Sequence, residues 1–463
     1  MNSTNNFPPL RTAWTVVCIL FLASVTSYLD RYMLSLFVAP IRHALGLSDT
    51  QISLLQGFAF AMVYACMGLP FGRIVDRRNR RNLIIFGLVV WSSMTIWCGL
   101  SRSFAELFVA RIGVGVGEAC LGPAAFSLLA DYFAPSHRGR ALATYNMSTY
   151  VGAGASLLLG GAILRALAGI TVIPLPLLGA VAPWQIAFLA AGAPGFFLAM
   201  ILIYVKEPER KELLRRGGAE HRTRVLLLPY IRSRLTTFVP LYVSYALTAV
   251  VGYVVVAWVP SFYIRHYGLR PADVGLVMGT VAIVGGIAGC LVSGYLSDRW
   301  VMRDLRGGRF RIPLLWWPVA VVSIICFTQS PSLGVSLIFF CLLTFGSAVG
   351  LSSAPAAIQD AVPNELRGQA SALHFILAGL IGLGVAPTLV ALVTDHIFHN
   401  DNALGLSLMA VLLPVAVVGL IASVMGQGPY DRVRRQVGES HRTGPKVFGY
   451  ADSMERKDAP DAI

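Results

Sequence analysis

Residues 72–81 read GRIVDRRNRR: a glycine, an aspartate four positions on, then a run of arginines, in the form G-x-x-x-D-R-x-x-R-R. The stretch follows an apolar run at 50–72 and so stands at a helix end. Gly72 lets two helices approach closely. Asp76 can accept charge-assisted hydrogen bonds from a neighbouring helix start or an arginine. Such a contact can form in one conformation and break in another. The plain alternative is an ordinary basic flank. A partial copy weakens that alternative: Gly294–Arg299 reads GYLSDR after the second apolar run of the second half. Likewise Arg138–Ala141 reads RGRA and Arg367–Ala370 reads RGQA, each opening the fifth run of its half. The two offsets are 222 and 229 residues. Matching features at nearly one offset imply a duplicated six-helix unit. The conformational-switch residues on this reading are Gly72, Asp76, Arg77, Arg80 and Arg81, and Gly294, Asp298 and Arg299.

The chain around this repeat is too apolar for water. Of 463 residues, 56% are hydrophobic and 13% charged, and mean hydropathy is +0.67. A soluble domain carries about 25% charged residues. A spanning helix needs about 20 mostly apolar residues, and the sequence offers twelve such stretches: 12–38, 50–72, 82–101, 104–132, 139–166, 183–205, 236–264, 271–297, 310–329, 333–359, 368–395 and 403–426. All must be helices, because lipid offers no partner to an unpaired backbone group. The first stretch is longer than a signal-peptide core and is read as a span. The expected fold is therefore an all-α membrane protein of twelve transmembrane helices in two pseudo-symmetric six-helix bundles. Residues 1–205 form the first bundle, 206–234 a cytoplasmic loop, 235–426 the second bundle and 427–463 a disordered cytoplasmic tail. The seven cysteines lie in apolar stretches without metal-ligand spacing and read as small buried hydrophobes.

The net charge of +14 does not require nucleic acid. With the N-terminus inside, 30 Lys and Arg fall on the inner side and 5 on the outer: Arg42, Arg102, Arg165, Arg265 and Arg270. That split places both termini in the cytoplasm, with the protein in the cell (inner) membrane and its basic face on anionic lipid headgroups.

The loop at 72–81 resembles the signature loop of the major facilitator superfamily. Arg111–Ala119, RIGVGVGEA, is similar to that superfamily's fourth-span motif. Gly152–Gly161, GAGASLLLGG, is a degraded form of its antiporter motif, with Ser156-Leu157 where Gly-Pro is expected. A narrower resemblance is to the spinster branch. It rests on LDRYMLSLFVAPIRHALGLSDTQISLLQG from Leu29, on RIGVGVGEA and on PWQIAF from Pro183. The resemblance implies alternating-access transport, and the branch implies a sphingolipid or lysophospholipid substrate with proton coupling. It calls for no cofactor and no metal, and implies a monomer whose partners are membrane lipids, protons and an amphiphilic or small-molecule substrate.

The ionisable residues inside spans are the sharpest clue, because an intramembrane charge costs about 3 kcal/mol or more. They are Asp30 and Arg31 in span 1 and Arg111 and Glu118 in span 4. Arg111 and Glu118 share a helix face but stand too far apart for easy pairing. A cross-helix network is expected, acting either as a proton switch, as a permanent fastening, or as a seat for an anionic headgroup. Cavity lining falls to Tyr145, Asn146, Tyr242, Tyr245, Phe345, His374 and Phe375. His374 reads as a hydrogen-bonded packing residue rather than a proton carrier. GVGVGE at 113–118 follows no strand and reads as helix packing rather than a phosphate loop. No hydrolase triad, zinc site or carboxylate pair appears, so an enzyme is not expected. The alternatives are a transporter of organic anions, sugars or drugs, and a non-transporting receptor or scaffold.

Overall fold

The computed structural model describes residues 7–133, 135–170, 173–175, 179–208, 227–303, 305, 307–363 and 366–443. Eleven of its helices are long and apolar enough to cross a membrane. Span 2 completes twelve. The spans are Leu10–Leu36, 49–77, Arg80–Leu100, 104–132, Pro135–Ala166, Pro183–Ile203, Leu235–Tyr267, Pro271–Met302, Ile312–Gln329, Leu333–Asp360, 367–398 and Leu404–Thr443. Many of their side chains stay exposed, among them Phe86, Phe197, Val284, Ile338 and Val424. Apolar surface of this extent needs lipid, not water.

Two spans break the regular helix where the halves meet. Span 2 begins as Asp49–Ser53, passes through a π turn at Leu54–Phe58 and continues as Ala59–Arg77. Span 11 carries π segments at Ala378–Val385 and Val393–Phe398. Pro387 lacks the N–H that would bond to the Leu383 carbonyl, which favours a widened turn just before it. The first two π segments pack against each other across the halves. Spans 5 and 8 form a second cross-half seam. There a Cβ on Gly154 would lie 2.6 Å from the Gly279 carbonyl oxygen. The degraded antiporter motif thus supplies close helix packing.

Several expectations need correction. Span 12 does not end at 426, and residues 427–443 are not a disordered tail: the helix continues to Thr443. Its extension is anchored, since Gln427 donates to the Phe310 carbonyl at 2.7 Å and the buried Tyr430 hydroxyl to the Ala357 carbonyl at 2.9 Å. Residues 444–463 lie outside the described residues. Outside the spans the chain is not purely helical: Ile173–Leu175 and Gly179–Val181 pair as a short antiparallel ribbon between spans 5 and 6. Span 1 stops at Leu36, and a separate short helix, Val38–Leu45, ends on Gly46 in the left-handed region at φ 65°. Among the cysteines Cys18, Cys66 and Cys341 are exposed rather than buried. Most of the 206–234 loop, residues 209–226, lies outside the described residues; Leu227–Arg232 is a short helix.

Candidate functional site

The four charges within spans 1 and 4 converge, and each is at least nine-tenths buried. Their wiring follows from helix packing. On span 4, a Cβ on Gly115 would stand 3.0 Å from the Phe60 carbonyl oxygen, and one on Gly117 would stand 2.6 Å from the Trp91 nitrogen. The two glycines of the fourth-span motif therefore let spans 2 and 3 close onto span 4.

Arg31 donates from Nη2 to Glu118 Oε2 at 2.6 Å. Its guanidinium is caged by aromatic faces, with ring centres at 4.3 Å for Phe60, 4.8 Å for Tyr28 and 5.4 Å for Tyr64. Cation–π attraction of this kind is strongest where water is excluded. Among the described residues Arg111 pairs with no carboxylate. It donates to three carbonyls, Leu55 at 3.1 Å, Asp30 at 3.2 Å and Arg31 at 3.4 Å. Leu55 belongs to the π turn of span 2, so the break in that helix presents an acceptor to Arg111. The Asp30 carboxylate accepts the Thr95 hydroxyl at 3.0 Å and has no ion pair. Its Oδ1, Glu118 Oε1 and Arg31 Nε are buried with no hydrogen-bond partner.

Beside Arg31 a narrow void separates the halves. Arg31, Tyr32, Ser35 and Gln56 face Tyr253 and Leu383 across it. At about 10 Å³ it has room for one water at most. The expected liners do not border it. Tyr242 and Tyr245 spend their hydroxyls within the second half, on the Ala370 carbonyl at 2.9 Å and the Ser353 hydroxyl at 3.0 Å. Tyr145 is buried edge-on to Phe126 at 5.4 Å. Asn146 and Phe375 are exposed, and Phe345 is half-buried. His374 is buried against the ring of Tyr245, but its Nδ1 has no partner, contrary to the hydrogen-bonded role expected of it.

At the face bearing the termini, the buried Arg80 joins spans 3, 4 and 6. It pairs with Asp131, with Glu207 at 2.7 Å and with the Pro208 carbonyl at 3.0 Å. Arg81 donates its backbone N–H to the other oxygen of Glu207 at 3.0 Å. In the second half Arg309 holds Asp360 at 2.6 and 2.8 Å. Arg309 and Asp360 each stand 229 positions after Arg80 and Asp131, the offset that separates RGRA from RGQA. The repeat thus extends to an ion pair that the motifs did not reveal. Among the described residues Gly294 has no neighbour close enough to need a glycine, and the half-buried Arg299 donates to the Tyr295 hydroxyl at 2.6 Å. The side chains of Gly72, Asp76, Arg77 and Asp298 lie outside the described residues.

The opposite face is clasped across the halves by residues the sequence reading did not single out as a site. Asp49, fully buried, takes both ends of Arg265 at 2.5 and 2.8 Å and lies 3.1 Å from Arg42. Arg42 also holds Asp401 at 2.6 Å. Thr50 gives its backbone N–H and its hydroxyl to Asp395, at 2.7 and 2.6 Å. Those N–H groups are free because a helix starts at Asp49. Four of the five outer cations form ion pairs there, since Arg165 and Arg270 share Asp273. The lone arginines of a charge count are the legible trace of this clasp.

Twelve spans, a seam between two halves and charges buried beside it define a polytopic membrane transporter. The chain matches the Major Facilitator Superfamily model over residues 20–387. It is 30% identical over 437 residues to an MFS-type efflux pump of Mycolicibacterium smegmatis, covering 93% of this chain and 96% of that one. Protein spinster homolog 1 of Xenopus laevis is 25% identical over 441 residues, with 89% and 79% covered. Among solved structures, a bacterial homolog to the human lysosomal transporter spinster, inward-facing and unoccupied, superposes with a TM-score of 0.73 at 23% identity, covering 93% of this chain and 99% of that one. This chain belongs to the major facilitator superfamily and is similar to its spinster-like members. It is a transporter, not an enzyme.

Proposed function

We propose that the protein is a proton-coupled secondary transporter of an amphiphilic solute of the lysophospholipid or sphingoid class, in the cell (inner) membrane with both termini cytoplasmic. The observation that carries the coupling is the buried Arg31–Glu118 pair beside an Asp30 that has no ion partner. A lone carboxylate sealed from water costs several kcal/mol as an anion, which makes Asp30 the candidate site of the carried proton. Separation of the halves admits water and releases it. Arg31 then moves between Glu118 and the solute. The clasp at Asp49, Arg265 and Asp395 closes the outer side in this conformation. The 30-to-5 distribution of Lys and Arg supports this orientation.

A second reading, transport of small organic anions, is favoured by one feature: the void beside Arg31 is narrow and carries the polar side chains of Tyr32, Ser35, Gln56 and Tyr253 on its border. Proteoliposomes under an imposed pH gradient test the coupling. Lysolipids and organic acids are each expected to be tried as the driving solute, with proton flux as the readout. Glu118→Gln and Asp30→Asn should abolish solute-dependent proton flux. Flux at the normal rate in both variants would remove the proton-switch role.

A further inference from the structure

The void between the halves has a chemistry that neither substrate reading specifies. Its one charged border is Arg31, whose Nε is buried without a partner. On the same side of the void lies Gln56, 5% exposed, whose Oε1 is also unpartnered. The amide of Gln56 is held in place, since its Nε2 donates to the Ala257 carbonyl at 3.3 Å. Ala257 stands one helical turn beyond Tyr253, so the contact that fixes Gln56 also sets it beside the Tyr253 ring at the void. The polar border thus comprises a guanidinium, a fixed carbonyl-type acceptor, the phenols of Tyr32 and Tyr253 and the Ser35 hydroxyl, which is spent on the Tyr32 carbonyl at 2.7 Å. Both halves contribute to it.

Resting on the transport reading above, we propose that this void is the apex of the substrate site and that it recognises an anionic group borne close to a free hydroxyl. The anion takes the place of Glu118 on Arg31. The solute hydroxyl donates to Gln56 Oε1 and accepts from the Tyr253 hydroxyl. A neutral tail contributes nothing here, and an anion without a hydroxyl leaves the Gln56 acceptor unfilled. A site built to bond a hydroxyl rejects the analogue that lacks one, because the buried group is left bare. Sugar acids and lysophosphatidic acid share this chemistry, one as a small solute and the other as a lipid headgroup.

Binding to the purified full chain in nanodiscs separates these sources. The probes are gluconate against hexanoate, and 1-acyl lysophosphatidic acid against its 2-deoxy analogue. Within whichever pair binds, the hydroxylated member should bind about tenfold tighter, the effect of one buried hydrogen bond. Gln56→Met and Tyr253→Phe, which keep volume, should cut that preference to about twofold or less while leaving the weaker analogue's affinity unchanged. Equal affinity of both members of each pair in the wild type would overturn the inference, as would a preference that survives in both variants. Solute-driven proton flux with no hydroxyl preference would sink the inference alone and leave transport standing. A hydroxyl preference without proton flux would uphold the site and defeat the proton coupling.

Discussion

The interiors of the two halves are made differently although their frame is duplicated. At the termini face each half locks its loop with one Arg–Asp pair, Arg80–Asp131 and Arg309–Asp360. Within its spans the first half buries Asp30, Arg31, Arg111 and Glu118, with three of their polar atoms unpartnered. The second half fastens itself with neutral groups. Ser244 bonds Ser423 at 2.8 Å and receives the Trp317 N–H at 3.1 Å, Tyr245 meets Ser353 at 3.0 Å, and Tyr263 meets Ser336 at 2.9 Å. Neutral hydrogen bonds contribute about 1 kcal/mol each and do not depend on protonation near neutral pH. A buried ion pair is weak evidence for stability, but breaking it is expensive. The frame was kept in both halves, while ionisable chemistry was concentrated in one.

The sharpest way to break this contrast is Glu118→Ala, which strands Arg31 in a dry aromatic cage. It should lower stability by about 3–5 kcal/mol, read as the melting temperature in detergent, and Glu118→Gln should cost clearly less. Equal effects would mean that Arg31 finds another partner and that the first half is not electrostatically committed. Next comes the clasp. Asp49→Ala leaves Arg265 without its bidentate acceptor, at a cost of about 2–5 kcal/mol to contact between the halves. Because that contact holds only one conformation, labelling of a Thr50→Cys reporter from the outer side should quicken in the variant. An unchanged rate would show that the clasp does not hold that face closed. A neutral-half change should matter less: Ser244→Ala should cost about 1 kcal/mol and leave the pH dependence of transport as it was. A shift in that dependence would blur the distinction between the halves. Smallest of all is Arg165→Gln. The side chain is 62% exposed and its ion pair with Asp273 is open to solvent, so no change in melting temperature is expected at physiological salt.

The charged cluster was legible because four ionisable residues stand out against apolar runs. Their partners were not. Arg111 goes to carbonyls rather than a carboxylate because span 2 unwinds into a π turn at Leu55, and no sequence pattern announces that turn. Gln56 and Tyr253 are single polar residues in long apolar spans, and only the packing of the two halves sets them on one void. Aromatic character alone chose Tyr242, Tyr245 and Phe375 as liners, yet hydrogen bonding within the second half takes the tyrosine hydroxyls. The helix past 426 was missed because its polar composition suggested no buried face, whereas Tyr430 and Gln427 dock on neighbouring spans.

By itself, then, the sequence determined the number of spans, the twofold repeat and which charges lie in the membrane. Each of these follows from local quantities: run length, hydropathy and the cost of an ion in hydrocarbon. Tertiary structure alone decided who pairs with whom, that Asp49 and Arg265 join halves more than two hundred residues apart in the chain, and where the void opens. Those outcomes depend on the rotation and crossing of packed helices, which sum many small contacts from distant parts of the chain.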